Sequence, residues 1–210
     1  MDVKFLIFTI KALLENFVYN ELENKGLYGL NGNLIIQPPW QRFYIYGDGK
    51  RDALVIDSII KGISLGMLYF YVQPDGKYAL LDGQQRLTSI GRYLTGKFSV
   101  DFNGEMLNFA NLPEDIRERI LNTELPVTVC TGGESSRIAW YERVNIAGVK
   151  MTQQEIRNSV FSGPFVEEMK KTFSNQKSAL CTKLSYYMTG SPLRQDYMEQ
   201  AIQWTLDATK

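Results

Sequence analysis

An α+β fold follows from three features of this 210-residue sequence. Two hairpin signals, Pro74-Asp75-Gly76 and Asn103-Gly104, each sit between apolar runs of strand length. Stretches with the helical period are interleaved with such runs as far as residue 131. Beyond Gly133 the helical period takes over. The expected organisation is an α+β part over residues 1–131 and a helical part over 132–210.

Phe5-Leu6-Ile7-Phe8 reads as a strand or a helix start, and Ile10, Leu13, Leu14 and Phe17 then recur at helical spacing. This opening run does not read as a signal peptide, because Thr9 and Lys11 interrupt it and no small-residue cleavage site follows. Gly26 to Gly32 is expected as a Gly/Asn-rich loop. Leu34-Ile35-Ile36 is then a short strand that Pro38-Pro39 must end, since proline cannot donate to a ladder. Phe43 to Tyr46 is a second β-prone stretch. From Arg51 to Lys61 the residues Leu54, Val55, Ile56, Ile59 and Ile60 form the stripe of a helix closed by Gly62, with Asp52, Asp57 and Ser58 off it. Met67 to Val72 and Tyr78 to Leu81 make the first hairpin, and Leu87, Ile90, Tyr93 and Leu94 mark a helix that starts just after Gly83. Phe98 to Phe102 and Met106 to Phe109 make the second hairpin. Pro113 suits the first turn of a helix reaching Asn122, and Leu125 to Thr131 is a strand. Further helices are expected over 134–146, 153–161, 164–174 and 193–208.

Composition limits the chemistry. With 23 Lys+Arg against 23 Asp+Glu, the chain does not coat nucleic acid by bulk charge, though local basic clusters are allowed. The 44% hydrophobic content supports a real core, and no run reaches the ~18 apolar residues of a membrane span, so no membrane partner is expected. There is no histidine, which excludes Ser-His-Asp and Cys-His nucleophile pairs, His-ligated zinc hydrolysis and nucleases that rely on a His base. Catalysis must then come from carboxylates, Arg, Lys, amides, a hydroxyl or a bound metal. Cys130 and Cys181 lack any CxxC spacing and read as reduced thiols of a cytoplasmic protein.

Three stretches carry candidate chemistry. Leu80-Leu81-Asp82-Gly83-Gln84-Gln85-Arg86 lies where a strand turns into a helix, so free N–H groups of the first helical turn point at whatever occupies the turn. Gly83 lets a ligand approach the backbone, Arg86 offers forked donors to a phosphate, and Asp82 can hold Mg²⁺ or orient a water. The plain alternative is a capping box made by Asp82 and Gln85. Gln37-Pro38-Pro39-Trp40-Gln41-Arg42 presents Gln41 and Arg42 from a stiff loop, or else Arg42 is a surface arginine stacked on Trp40 or Tyr44. Tyr141 to Gly148 and Thr152 to Asn158 hold Asn145, Glu155, Arg157 and Asn158; here too there is a plain alternative, in which Glu155 closes a capping box with Thr152 and Asn145 is a polar helix end.

In this order the three stretches resemble the family defined by an Asp-Gly-Gln-Gln-Arg motif, the N-terminal domain of GmrSD-type restriction enzymes, related to the ParB/sulfiredoxin-like fold. The resemblance rests on Gln37 to Arg42, Asp57-Ser58-Ile59 with Gly62, Tyr78 to Arg92, Tyr141 to Gly148 and Gln154 to Asn158. It implies a ParB-like N-terminal part, binding and Mg²⁺-dependent hydrolysis of a nucleoside triphosphate, and a role in DNA restriction and anti-phage defence. It nominates Asp82, Gln85 and Arg86 as catalytic, with Asp82 on the metal. Gln41, Arg42, Gly83, Gln84, Asn145, Glu155, Arg157 and Asn158 would bind nucleotide or phosphate. Longer relatives continue into a His-containing nuclease domain, so DNA cleavage is not expected of this histidine-free chain alone, and a nuclease domain or subunit is an expected partner. The competing reading is a non-catalytic DNA-binding or adaptor module, served by a basic face near Trp40, Lys50, Arg51 and Arg92.

Overall fold

The computed structural model describes residues 2–21, 25–38, 41, 44–133, 140, 163–173, 178–184 and 186–187. The chain forms two compact units, Met1–Val144 and Asn145–Lys210. In the first, the elements run β1 (Asp2–Thr9), α1 (Ile10–Leu13), β2 (Val18–Asn20), β3 (Lys25–Gly29), β4 (Leu34–Ile35), α2 (Arg51–Ile60), β5 (Leu68–Val72) and β6 (Tyr78–Asp82). They continue with α3 (Gln84–Leu94), β7 (Val100–Phe102), β8 (Glu105–Leu107), α4 (Glu114–Asn122) and β9 (Glu124–Thr131). Helices α5 (Pro164–Phe173) and α6 (Ala179–Leu184) belong to the second unit, and α5 lies where a helix was expected.

The mixed sheet has the order β1-β9-β5-β6-β4-β3-β2, and β7 and β8 pair separately. β5 and β6 are the antiparallel hairpin expected around Pro74-Asp75-Gly76. β9 runs parallel to β5 and antiparallel to β1, and β4 runs parallel to β6. The first unit is therefore α+β with a mixed sheet, as the patterning predicts.

Strand alternation sorts the side chains by face. Leu68, Phe70 and Val72 of β5 join Leu80, Leu125, Val127 and Val129 in a core shared with helical residues Ile10, Leu13, Val55, Ile56, Ile59, Leu87, Ile90, Tyr93, Ile116 and Ile120. On the opposite face Tyr71, Leu81 and Cys130 form a smaller cluster with Tyr69 and Trp140. Burying the larger set removes most of its apolar area from water, and that is the main drive for placing α3 against the sheet.

Several expectations are corrected. Gly26 to Gly29 belong to strand β3, not a loop. A Cβ on Gly29 would lie 2.3 Å from the Leu13 carbonyl oxygen and one on Gly26 2.8 Å from Thr88 Oγ1, so these glycines permit close packing of the strand. The opening helix is one turn long, capped by Thr9 Oγ1 accepting from Ala12 N–H at 3.2 Å, and Phe17 lies beyond it with its ring packed on Gly91. Tyr44 to Tyr46 are not a strand; their polar groups bond to helices instead. On α2, Leu54 is 63% exposed whereas Asp52, expected off the apolar stripe, is 1% exposed. The partners that make its burial possible lie at the site below.

Candidate functional site

The strand β6 passes into α3 through Gly83, whose φ of 107° belongs to the region that favours glycine. A Cβ there would come within 2.2 Å of Leu68 Cδ2, so both conformation and space demand a glycine. The first in-helix backbone bond is Leu87 N–H to Gly83 O at 2.9 Å. The N–H groups before it open the helix without an intrahelical acceptor, and Gly83 has no side chain to supply one.

The expected capping box does not form. Gly83, not Asp82, is the N-cap, and no side chain caps it. Asp82 ends β6, and its half-exposed carboxylate accepts from Arg86 Nη2 at 3.0 Å. Arg86 also donates through Nη1 to Leu65 O and through Nη2 to Met67 O at 3.1 Å. One guanidinium thus ties the α2–β5 loop to the helix start and faces the only carboxylate of the turn.

The glutamines form a layer behind the turn. Gln41 is buried and donates from Nε2 to Leu80 O at 3.1 Å and Leu81 O at 2.8 Å. Gln84 is buried and donates to Gln37 Oε1 at 3.0 Å, while its own Oε1 accepts from Gln85 Nε2. Gln85 Oε1 accepts from Ile45 N–H at 2.8 Å. These amides dock Gln37, Gln41 and Ile45 onto the end of β6 and the start of α3. Two residues named from sequence are therefore brought to the exposed turn, Asp82 and Arg86, with Gly83 between them; Gln41, Gln84 and Gln85 lie directly beneath. Arg42, Trp40, Asn145, Glu155, Arg157 and Asn158 lie outside the described residues.

A second polar cluster adjoins the first and was not anticipated. Tyr44 OH donates to Asp52 Oδ1, shares a 2.8 Å hydrogen bond with Ser89 Oγ and accepts from Arg92 Nη1 at 3.3 Å. Arg92 Nη1 also bonds to Asp52 Oδ2. The Arg92 guanidinium lies over the rings of Tyr19, Tyr44 and Phe98 at 5.5, 5.2 and 5.6 Å. Burial pushes the Asp52 carboxyl up from its ordinary value, against the lowering by the Ser89 hydroxyl and Arg92. The signal available in the sequence was the spacing of Gln85, Ser89 and Arg92, four and then three residues apart on α3. Arg51 is likewise engaged, with Asp48 Oδ2 at 2.8 Å and Ile45 O at 2.7 Å. The basic face expected for DNA thus has both its described arginines committed to internal partners.

Chemically, the turn offers a helix N-terminus, one accessible carboxylate and one guanidinium. Among the described residues no three His, Cys, Asp or Glu side chains group as a metal cage. A single half-exposed carboxylate does fit Mg²⁺, which is commonly held by one or two carboxylates together with substrate phosphates and water.

A family model described as the GmrSD restriction endonuclease, N-terminal domain, matches residues 19–127, more than half of the chain. The match runs from β2 to the middle of β9 and includes Gln41, the β6–α3 turn and both polar clusters. No curated protein and no solved structure matches the chain.

Proposed function

Because the chain belongs to the family of GmrSD restriction endonuclease N-terminal domains, we propose that its β6–α3 turn binds a nucleoside triphosphate and hydrolyses it with Mg²⁺, within a DNA restriction and anti-phage defence system. The observation that carries this reading is the turn itself. A left-handed glycine opens the backbone at a helix start, with the Asp82 carboxylate half exposed beside the Arg86 guanidinium. The same proposal takes the domain as ParB/sulfiredoxin-like and cytoplasmic, acting with DNA and with a nuclease domain or subunit.

Phosphate oxygens are favoured at the α3 N-terminus, where the helix dipole and the opening N–H groups concentrate positive potential. Arg86 sits one turn into the helix and adds a full charge on the same side, while Arg42 is proposed to contact phosphate from the Pro38 segment. Asp82 would hold Mg²⁺ or orient the attacking water; bound there, the ion would supply charge neutralisation at the phosphate oxygens. Phosphoryl transfer depends on positioning and charge compensation more than on a strong base, so a site without histidine is chemically adequate. Gln41, Gln84 and Gln85 act one layer back, holding the backbone on which the ligand-facing groups stand. Asn145, Glu155, Arg157 and Asn158 are proposed as further nucleotide contacts from the other stretch of the family pattern.

A screen of ATP, GTP, CTP and UTP, each with and without Mg²⁺, by thermal shift and phosphate release tests the proposal. One triphosphate should raise the unfolding midpoint in a concentration-dependent way and release phosphate only with Mg²⁺. No shift and no release with all four would defeat it.

A further inference from the structure

We propose that Asp52 is a positioning residue for this site: with Arg92 it locks Tyr44, and so fixes Tyr44 to Tyr46, which follow Arg42 closely in sequence, against α3. Its link to nucleotide rests on the function proposed above; its link to the segment stands on geometry alone.

The segment is fastened at three described points. Gln41 holds the β6 carbonyls, Ile45 N–H is taken by Gln85 Oε1, and Tyr44 OH reaches Asp52 and Ser89. The first two are ordinary amide contacts. The third is built around a carboxylate that is 1% exposed and a guanidinium whose buried Nε has no hydrogen-bond partner among the described residues. Two charges removed from water give little net stability compared with apolar side chains of the same size. What they supply is direction: the Asp52 oxygens are shared between Tyr44 OH and Arg92 Nη1, and the arginine head lies within 5.6 Å of the ring centres of Tyr19, Tyr44 and Phe98. Asp52 comes from α2, and Ser89 and Arg92 come from α3, so the clamp also couples the segment to both helices. Arg51, next to Asp52 in α2, donates to Ile45 O at 2.7 Å and reinforces the same attachment from the exposed side.

The test pairs Asp52→Asn with Tyr44→Phe. The second keeps the aromatic core and serves if the first, which strands a buried arginine, does not fold. Amide hydrogen exchange is followed at Ile45, whose N–H is bonded to Gln85, and at Ile90 within α3 as an internal reference. Exchange at Ile45 should become at least about tenfold faster in either folded variant, with Ile90 unchanged. Triphosphate turnover should show KM raised about tenfold and kcat within about twofold, since a displaced segment weakens ground state and transition state alike. Unchanged exchange at Ile45 overturns the clamp. Faster exchange at Ile45 with an unchanged KM overturns the positioning role. Absence of turnover in the wild-type chain defeats the nucleotide reading instead, and the clamp then stands or falls on the Ile45 amide.

Discussion

Replacing Gly83 by alanine places two separate costs on one residue, and both can be worked from the geometry. The backbone at φ 107° is one that L side chains rarely adopt, worth about 1–2 kcal/mol. The new Cβ would also stand 2.2 Å from Leu68 Cδ2, and Leu68 is buried, so its side chain must shift within the core. Overpacking of that kind costs about 1–3 kcal/mol. Together the expected loss is about 2–5 kcal/mol, a large part of the ~5–15 kcal/mol that holds a typical domain folded. Urea denaturation reads it as a lower midpoint at constant slope. A Leu68→Ala background separates the two costs: removing Cδ2 should shrink the penalty of Gly83→Ala to about 1–2 kcal/mol, the backbone part alone. A single Gly83→Ala variant within about 0.5 kcal/mol of wild type would refute the reasoning, because neither strain nor clash would then exist.

Other outcomes follow from the same contacts. Arg86→Met removes the donors to Leu65 O, Met67 O and Asp82, and should cost about 1–3 kcal/mol while exposing the 62–66 loop to proteolysis. Gln41→Leu should cost about 1–2 kcal/mol in a denaturation curve, since the Leu80 and Leu81 carbonyls lose a buried donor. Asp48 accepts from the backbone and side chain of Arg51, which hold its carboxyl at about 2 against an ordinary 3.8. Its contribution to stability is therefore complete above pH ~4 and lost as pH falls towards 2, and Asp48→Asn should flatten the stability profile in that window. Asp52 acts with the opposite sign. Its carboxyl is raised, so its contribution is complete below its unfolded value and declines as pH rises through the folded one; Asp52→Asn removes that decline.

Elements whose information is local are legible in the sequence. The β5–β6 and β7–β8 hairpins, α3 after Gly83, and α4 after Pro113 each carry their own turn or cap residue. Asn103 and Gly104, for instance, both adopt positive φ, as their dipeptide predicts. What was not legible depends on contacts across sequence. Gly26 and Gly29 look like loop residues until Thr88 and Leu13 are found pressed against them. Asp52 looks like a solvent-facing helix residue until Arg92, 40 positions away, is seen to pair with it. Within the site, the chemistry of Asp82, Gly83 and Arg86 could be read from their types and order. The glutamines could not, because an amide beside a turn suits a water as well as a neighbouring loop, and only geometry shows that Gln85 takes the Ile45 N–H.

Phosphate release by Asp82→Asn tests the role of the turn most directly, with the melting curve recorded on the same sample. Asp82 caps no helix, and its partly exposed pair with Arg86 contributes at most about 1 kcal/mol, so the variant should melt close to wild type. Loss of the carboxylate should nonetheless lower Mg²⁺-dependent triphosphate hydrolysis at least about a hundredfold. A variant that melts like wild type and still releases phosphate at the wild-type rate would contradict the assignment of Asp82, and with it the catalytic reading of the β6–α3 turn.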